Sequence, residues 1–244
     1  GKQVLEIYNS DEENWDVSAK DDNSPLTKAD KVANDYICEQ LKAQYPDIPI
    51  ISEENKEIPY DERKQYELFW LVDPLDGTKE FIKRNGEFTI NIALVQGGEA
   101  KAGILSAPAL GRIYYAAKGE GAFYWDENND KHKLAVNNFS LNDKGLRIVS
   151  SRSHMNEETQ QFIDQLEEPE LVSMGSSLKF MLVAEGKADI YPRIGPTMEW
   201  DTGAAQAIVE EAGGKVLNYE DQQPLRYNKE DLHNPWFVVY GKTE

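Results

Sequence analysis

The chain has 244 residues, with 26 Lys and Arg against 44 Asp and Glu, a formal charge of −18. That length serves one large domain or two smaller ones sharing a core, and the acidic balance argues against nucleic acid or an anionic membrane as the main partner, while leaving room for a small anion held by a local group of cations. No run of about 18 apolar residues is present, so no membrane span is expected; no leader peptide is evident; and one cysteine, Cys38, allows no internal disulfide and fits a reducing compartment.

Residues 2–8 and 28–45 read as helices. In the second, Ala29, Val32, Ala33, Tyr36, Ile37 and Leu41 recur at helical spacing, and Cys38 among them reads as a small core residue. Ile50-Ile51 enters a short strand before Ser52-Glu53-Glu54. The polar residues 56–66 read as an exposed loop, and Leu68–Val72 as a buried strand. Residues 88–96, 101–106, 112–117 and 122–125 form a glycine-punctuated meander, which predicts helices on an antiparallel or mixed sheet for the first half. The polar stretch 126–144 marks a boundary, with an α+β subdomain over 1–140 and an α/β subdomain over 141–244. In the second half, strands at 146–150, 171–173, 188–191, 215–218 and 236–240 alternate with helices at 156–166, 176–185 and 201–212.

The strand at 68–72 ends in Asp73-Pro74-Leu75-Asp76-Gly77-Thr78, two acids three residues apart. Loops at the C-terminal ends of strands in layered α/β folds converge on ligand sites. Asp76 has an ordinary explanation as an N-cap for a helix running through Lys79 and Glu80; Asp73 has none. Two close carboxylates repel unless a cation sits between them, and Mg²⁺ takes carboxylate, carbonyl and water oxygens. Gly77 allows close backbone approach. Three further places can complete an acidic cluster: Glu53-Glu54, whose plain reading is a solvated turn; Asp201, whose plain reading is another N-cap; and Asp30, whose plain reading is a favourable charge on its helix dipole. Trp200 reads as packing behind Asp201, and nothing is assigned to His132 or His233.

D-P-L-D-G-T at 73–78, S-E-E at 52–54 and W-D-T-G-A-A at 200–205 resemble the inositol monophosphatase superfamily of Mg²⁺-dependent, lithium-sensitive phosphomonoesterases. Within it, LVDPLDGTKEFIKRNGEFTINIALV, SRSH at 151–154, GSSLKF at 175–180 and YPRIGPTMEWDTGAA at 191–205 resemble the CysQ-type 3′(2′),5′-bisphosphate nucleotidases, from about residue 15 to the end. The family's first helix is normally longer than the stretch at 2–8. The resemblance implies an α/β fold layered α-β-α-β-α, as in the inositol monophosphatase and fructose-1,6-bisphosphatase folds.

It also implies a site. Glu53, Asp73, Asp76, Asp201 and the carbonyl of Leu75 would ligate two or three Mg²⁺ ions, Asp73 bridging two of them. Thr78 with Asp30 would take a proton from the attacking water, with Glu53 orienting a weaker metal or its water. The amides of Gly77 and Thr78 would hold the scissile phosphate. Lys79, His154, Ser176 and Lys179 would contact the nucleotide, with Arg193 on the non-reacting phosphate. The plain readings are a solvated helix residue for Lys179, an N-cap for Ser176 and a rim salt bridge for Arg193. The implied reaction is hydrolysis of 3′-phosphoadenosine 5′-phosphate, and of 3′-phosphoadenylyl sulfate, clearing a by-product of sulfate assimilation. The implied enzyme is a monomer or homodimer, cytoplasmic or peripheral on the cytoplasmic side of the inner membrane. An inositol or sugar phosphatase of the same fold is the alternative enzyme, and a non-catalytic nucleotide or metal sensor is the alternative class.

Overall fold

Two sheets of unequal size carry the structure, a computed structural model that describes residues 1–20, 24–150 and 156–243. The large sheet has seven strands in sequence order: Ile50–Ser52, Leu68–Asp76, Thr89–Gln96, Glu99–Ala107, Arg112–Ala117, Gly121–Trp125 and Lys131–Lys133. Its first pair is parallel and the rest antiparallel. The small sheet orders its five strands Glu170–Ser173, Arg147–Ser150, Ile190–Arg193, Phe237–Tyr240, Lys215–Asn218. Its first three are parallel and its last two antiparallel additions.

Three helical layers alternate with the sheets. Lys2–Tyr8 and Lys28–Gln44 cover the outer face of the large sheet near Leu68–Asp76. Leu178–Ala184 and Glu199–Glu211 lie between the sheets, and Glu157–Ile163 packs on the small sheet's other face. The layering is thus α-β-α-β-α. The helix Glu199–Glu211 fits between two sheets because small residues, Gly203, Ala204, Ala205 and Ala207, run through its buried middle. It touches the large sheet so closely that a side chain at Gly103 would lie 2.3 Å from the Ala204 carbonyl oxygen. One core therefore joins Leu105 and Tyr114 of the large sheet to Ile208 and to Phe237 and Val239 of the small one.

One loop expectation changes. The loop at 56–66 contains the helix Tyr60–Arg63, and Arg63 is buried. Its guanidinium donates to Asn228 Oδ1 and to the carbonyls of Lys229 and Glu230. The boundary stretch 126–144 holds the strands Lys131–Lys133 and Asn138–Phe139. Both are too short and polar to show an alternating pattern. Asn138–Phe139 pairs in parallel with Lys242–Thr243 near the end of the chain. Among the described residues no helix is long and apolar enough to cross a membrane.

Candidate active site

The strand Leu68–Asp76 does not stop at the acids; it runs through them. Asp73 pairs with Asn91 and Asp76 with Thr89, with an irregular register between. Pro74 explains the break, since it has no N–H to give the ladder. Asp73 Oδ1 accepts the Leu75 N–H at 3.0 Å, which closes the local turn. Gly77, at φ +92°, redirects the chain into the helix Thr78–Ile82. A side chain there would meet Ser176 Cβ at 3.0 Å and the Glu87 carbonyl at 3.2 Å, so glycine is required on two counts. Gly77 is itself the cap, and Asp76 is a strand residue. The N-cap reading of Asp76 is therefore wrong.

Asp76 is instead gripped from the other half of the chain. Its Oδ2 accepts the Ser177 N–H at 2.6 Å and the Ser177 hydroxyl at 2.5 Å. Ser177 Oγ also lies 2.9 Å from the Asp201 carbonyl, and Asn91 donates to it at 3.0 Å. Ser177, not Ser176, immediately precedes the helix Leu178–Ala184. Ser176 sits one residue earlier at φ +44°, with Oγ 3.5 Å from Thr89 Oγ1. The N-cap reading of Ser176 is corrected accordingly. Asp201 is the third residue of its helix rather than the cap, and its Oδ2 accepts the Met198 N–H at 2.9 Å. Trp200, next to it, packs on the core around Leu71 and Tyr227.

Glu53 reaches Asp73 through sheet register. Ser52 is level with Val72, and Glu53 N–H donates to the Val72 carbonyl at 3.2 Å. Glu53 Oε1 and Glu54 Oε1 share the ammonium of Lys20, the former at 2.7 Å. Asp30 is buried and has two tasks. Its Oδ2 accepts the Thr27 N–H at 2.8 Å and the Thr27 hydroxyl at 2.6 Å, a capping box contributing about 1 kcal/mol. Its Oδ1 accepts the Thr78 hydroxyl at 3.0 Å, 48 residues on in the chain.

The electrostatics follow from this crowding. Burial pushes the Asp73 carboxyl well above the usual carboxylate range, and Glu53, Asp76 and Asp201 push it further. Burial does the same for Asp201, with Asp76 adding to it and the Met198 N–H opposing. Burial also raises Asp30, against its hydrogen bonds to Thr27 and Thr78. Among the described residues no three acidic side chains close on one coordination sphere; each has an oxygen committed to a protein donor. The four acids from residues 53, 73, 76 and 201 are nonetheless electrostatic neighbours, and an all-oxygen set of mutually repelling carboxylates suits a hard divalent cation.

A cleft of about 310 Å³ is lined by charges of both signs. Asp76, Glu80, Glu87 and Asp201 share its lining with Lys83, Lys179 and Arg193, with Lys79 at the exposed rim. Lys179 is set deep enough that desolvation lowers its pKa, with Asp76 opposing and Arg193 reinforcing the shift. Its Nζ lies 5.8 Å from the centre of the Tyr191 ring. Arg193 donates through Nη2 to the Pro196 carbonyl at 2.8 Å, while its buried Nε has no partner. No described carboxylate pairs with it, which is not the rim salt bridge of the plain reading. His154 and the SRSH stretch lie outside the described residues. His132 and His233 pair with Asp126 and Asp231, away from the cleft.

The model of the inositol monophosphatase family matches residues 1–238 of this chain. The 3′(2′),5′-bisphosphate nucleotidase CysQ of Shigella flexneri is 43% identical over 241 residues, covering 98% of this chain and 94% of that protein. Its counterpart in Haemophilus influenzae is 37% identical over 243 residues, covering 99% and 88%. The crystal structure of CysQ from Bacteroides thetaiotaomicron superposes with a TM-score of 0.87 at 41% identity, covering 100% of this chain and 93% of that one.

Proposed function

Because this chain belongs to the inositol monophosphatase family, we propose that it is a 3′(2′),5′-bisphosphate nucleotidase, which hydrolyses 3′-phosphoadenosine 5′-phosphate to AMP and phosphate. The observation that carries the reading is the two-signed cleft. Mutually repelling acids at and behind its floor suit divalent cations, and Lys179 and Arg193 in its lining suit a second phosphate. A simple phosphomonoester needs only the acids.

Glu53, Asp73, Asp76, Asp201 and the Leu75 carbonyl would hold two or three Mg²⁺ ions. Bound there, the cations neutralise phosphate oxygens and make water more acidic. The remaining steps belong to the chain. Thr78 Oγ1 accepts the proton of the attacking water as its own passes to Asp30 Oδ1, 3.0 Å away. Burial suits Asp30 to that task by making it a stronger base than an exposed aspartate. Water attacks phosphorus, the bond from phosphorus to the ribose 3′-oxygen breaks, and that oxygen takes a proton from water in the cleft. The amides of Gly77 and Thr78 hold the transferring phosphate. Arg193 and Lys179 hold the 5′-phosphate, while Lys79, Ser176 and His154 contact the nucleoside. Cytoplasmic action on a small molecule fits this chemistry.

The test is phosphate release with Mg²⁺ from 3′-phosphoadenosine 5′-phosphate, 3′-phosphoadenylyl sulfate, inositol phosphate and fructose bisphosphate in parallel. The reading expects the two adenosine compounds to lead. Preference for inositol phosphate or fructose bisphosphate would overturn it, and absence of release from all four would make the protein a binder.

A further inference from the structure

Lys20 was not among the residues the sequence singled out, yet its ammonium contacts two of the acids next to Asp73, Glu53 and Glu54. It follows the strand Ser18–Ala19, and its N–H donates to the Ser24 carbonyl at 2.8 Å across a short hairpin. From there its ammonium spans Glu53, at 2.7 Å, and Glu54. Its side chain is 21% exposed, against 26% for Glu53 and 10% for Glu54, so solvent screens the three only in part. The ammonium's charge also reaches Asp30. Adjacent glutamates beside Asp73 would otherwise repel one another and it.

We propose that Lys20 is a tethered counter-ion that competes with a divalent cation for Glu53. The inference rests on the metal reading of the cleft and deepens it. With the ammonium on Glu53, the acids farther in, Asp73, Asp76 and Asp201, keep their unrelieved charge and take divalent ions first. An ion at Glu53 enters only by displacing Lys20, so the outermost ion is bound weakly. A lysine is suited to this: its head is a compact point charge on a flexible four-carbon stem, able to leave without disturbing the backbone.

The experiment is a Mn²⁺ titration of the substrate-free full chain, by calorimetry and by the electron-spin signal of free Mn²⁺. Lys20→Met should bind the weakest ion about 10-fold more tightly than wild type, the effect of removing one competing charge at partly screened distance. Lys20→Arg, which keeps the charge, should titrate close to wild type. Unchanged or weaker binding in Lys20→Met, or equal tightening in both variants, overturns the proposal. If Lys20→Met does not fold without metal, Lys20→Gln is read by the same criteria. Asp73→Asn in the same titration separates the two levels. Loss of ions there alongside an unchanged Lys20→Met sinks only the role of Lys20, whereas wild-type binding by Asp73→Asn sinks the metal reading itself.

Discussion

Deep charges in this molecule come in two kinds, and they occupy different places. In the frame two buried acids have their opposites, while the buried Arg63 is held by Asn228 and two carbonyls instead. Asp189, just before the small sheet's central strand, takes the Arg147 guanidinium through Nε and Nη2 at 3.0 and 2.8 Å, with Asn137 and the Arg147 N–H completing its shell. Glu199, fully buried, holds the ammonium of Lys229 and two backbone N–H groups. At the site, of the four acids only Glu53 has an opposite among the described residues, in Lys20. Asp73 and Asp201 face other acids, and Lys179 and Arg193 have no described carboxylate in pairing range. Charges in the frame act on folding; charges at the cleft cost folding free energy and are balanced only by a ligand. Groups removed from the two regions should therefore move stability in opposite directions.

The sharpest break is Asp73→Asn. Removing that acid should lower turnover roughly a thousandfold, because cation stabilisation of a phosphoryl transition state amounts to several kcal/mol. Substantial residual phosphate release would refute its role. Arg193→Ala should weaken binding of the bisphosphate about 10- to 100-fold, the value of a charged hydrogen-bonded pair. Monophosphate hydrolysis should change little, and an unchanged ratio of kcat/KM for the two substrates would remove Arg193 from the phosphate site.

On the frame side, Asp189→Asn should cost about 2 kcal/mol in urea unfolding, less than a fully buried pair because Arg147 is 32% exposed. Burial alone would raise the Asp189 carboxyl, but Arg147 and Asn137 hold it below its ordinary 3.8. Its contribution is therefore complete above that value and disappears as pH falls through the lower folded one. Wild type should lose this share of stability below about pH 4, and Asp189→Asn should not. The smallest effect is Lys179→Met. It should weaken nucleotide binding while leaving the ligand-free protein as stable as wild type or up to about 1 kcal/mol more so. A destabilised variant would place Lys179 with the frame instead.

The comparison also explains what the sequence made legible. Asp73 stood out because it ends an apolar strand with no local use for a charge. Asp201 was a candidate beside its plain reading as a cap, and Lys179 and Arg193 emerged from motif resemblance. The family fold was readable for the same reason: D-P-L-D-G-T encodes a proline break, a positive φ and two acids in six residues. Lys20 was not readable, since it lies in a hairpin without apolar pattern and its partners come 33 and 34 residues later. Ser177 was missed because the helix starts one residue later than Ser176 suggested, and that step decides which hydroxyl reaches Asp76. Arg63 looked like part of a solvated loop because its partner Asn228 is 165 residues away. Local propensity sees caps and strands; it does not see pairs made by folding.

The most direct test is the thermal unfolding of wild type and Asp73→Asn, each with and without Mg²⁺. Asparagine keeps an oxygen for the Leu75 N–H, so the exchange removes charge and little else. Stripped of metal, Asp73→Asn should melt at or above the wild-type temperature, and Mg²⁺ should raise the melting point of wild type far more than that of the variant. A metal-free variant that melts well below wild type, or a wild type indifferent to Mg²⁺, would contradict the claim that the cleft's charges are left unpaired for a ligand.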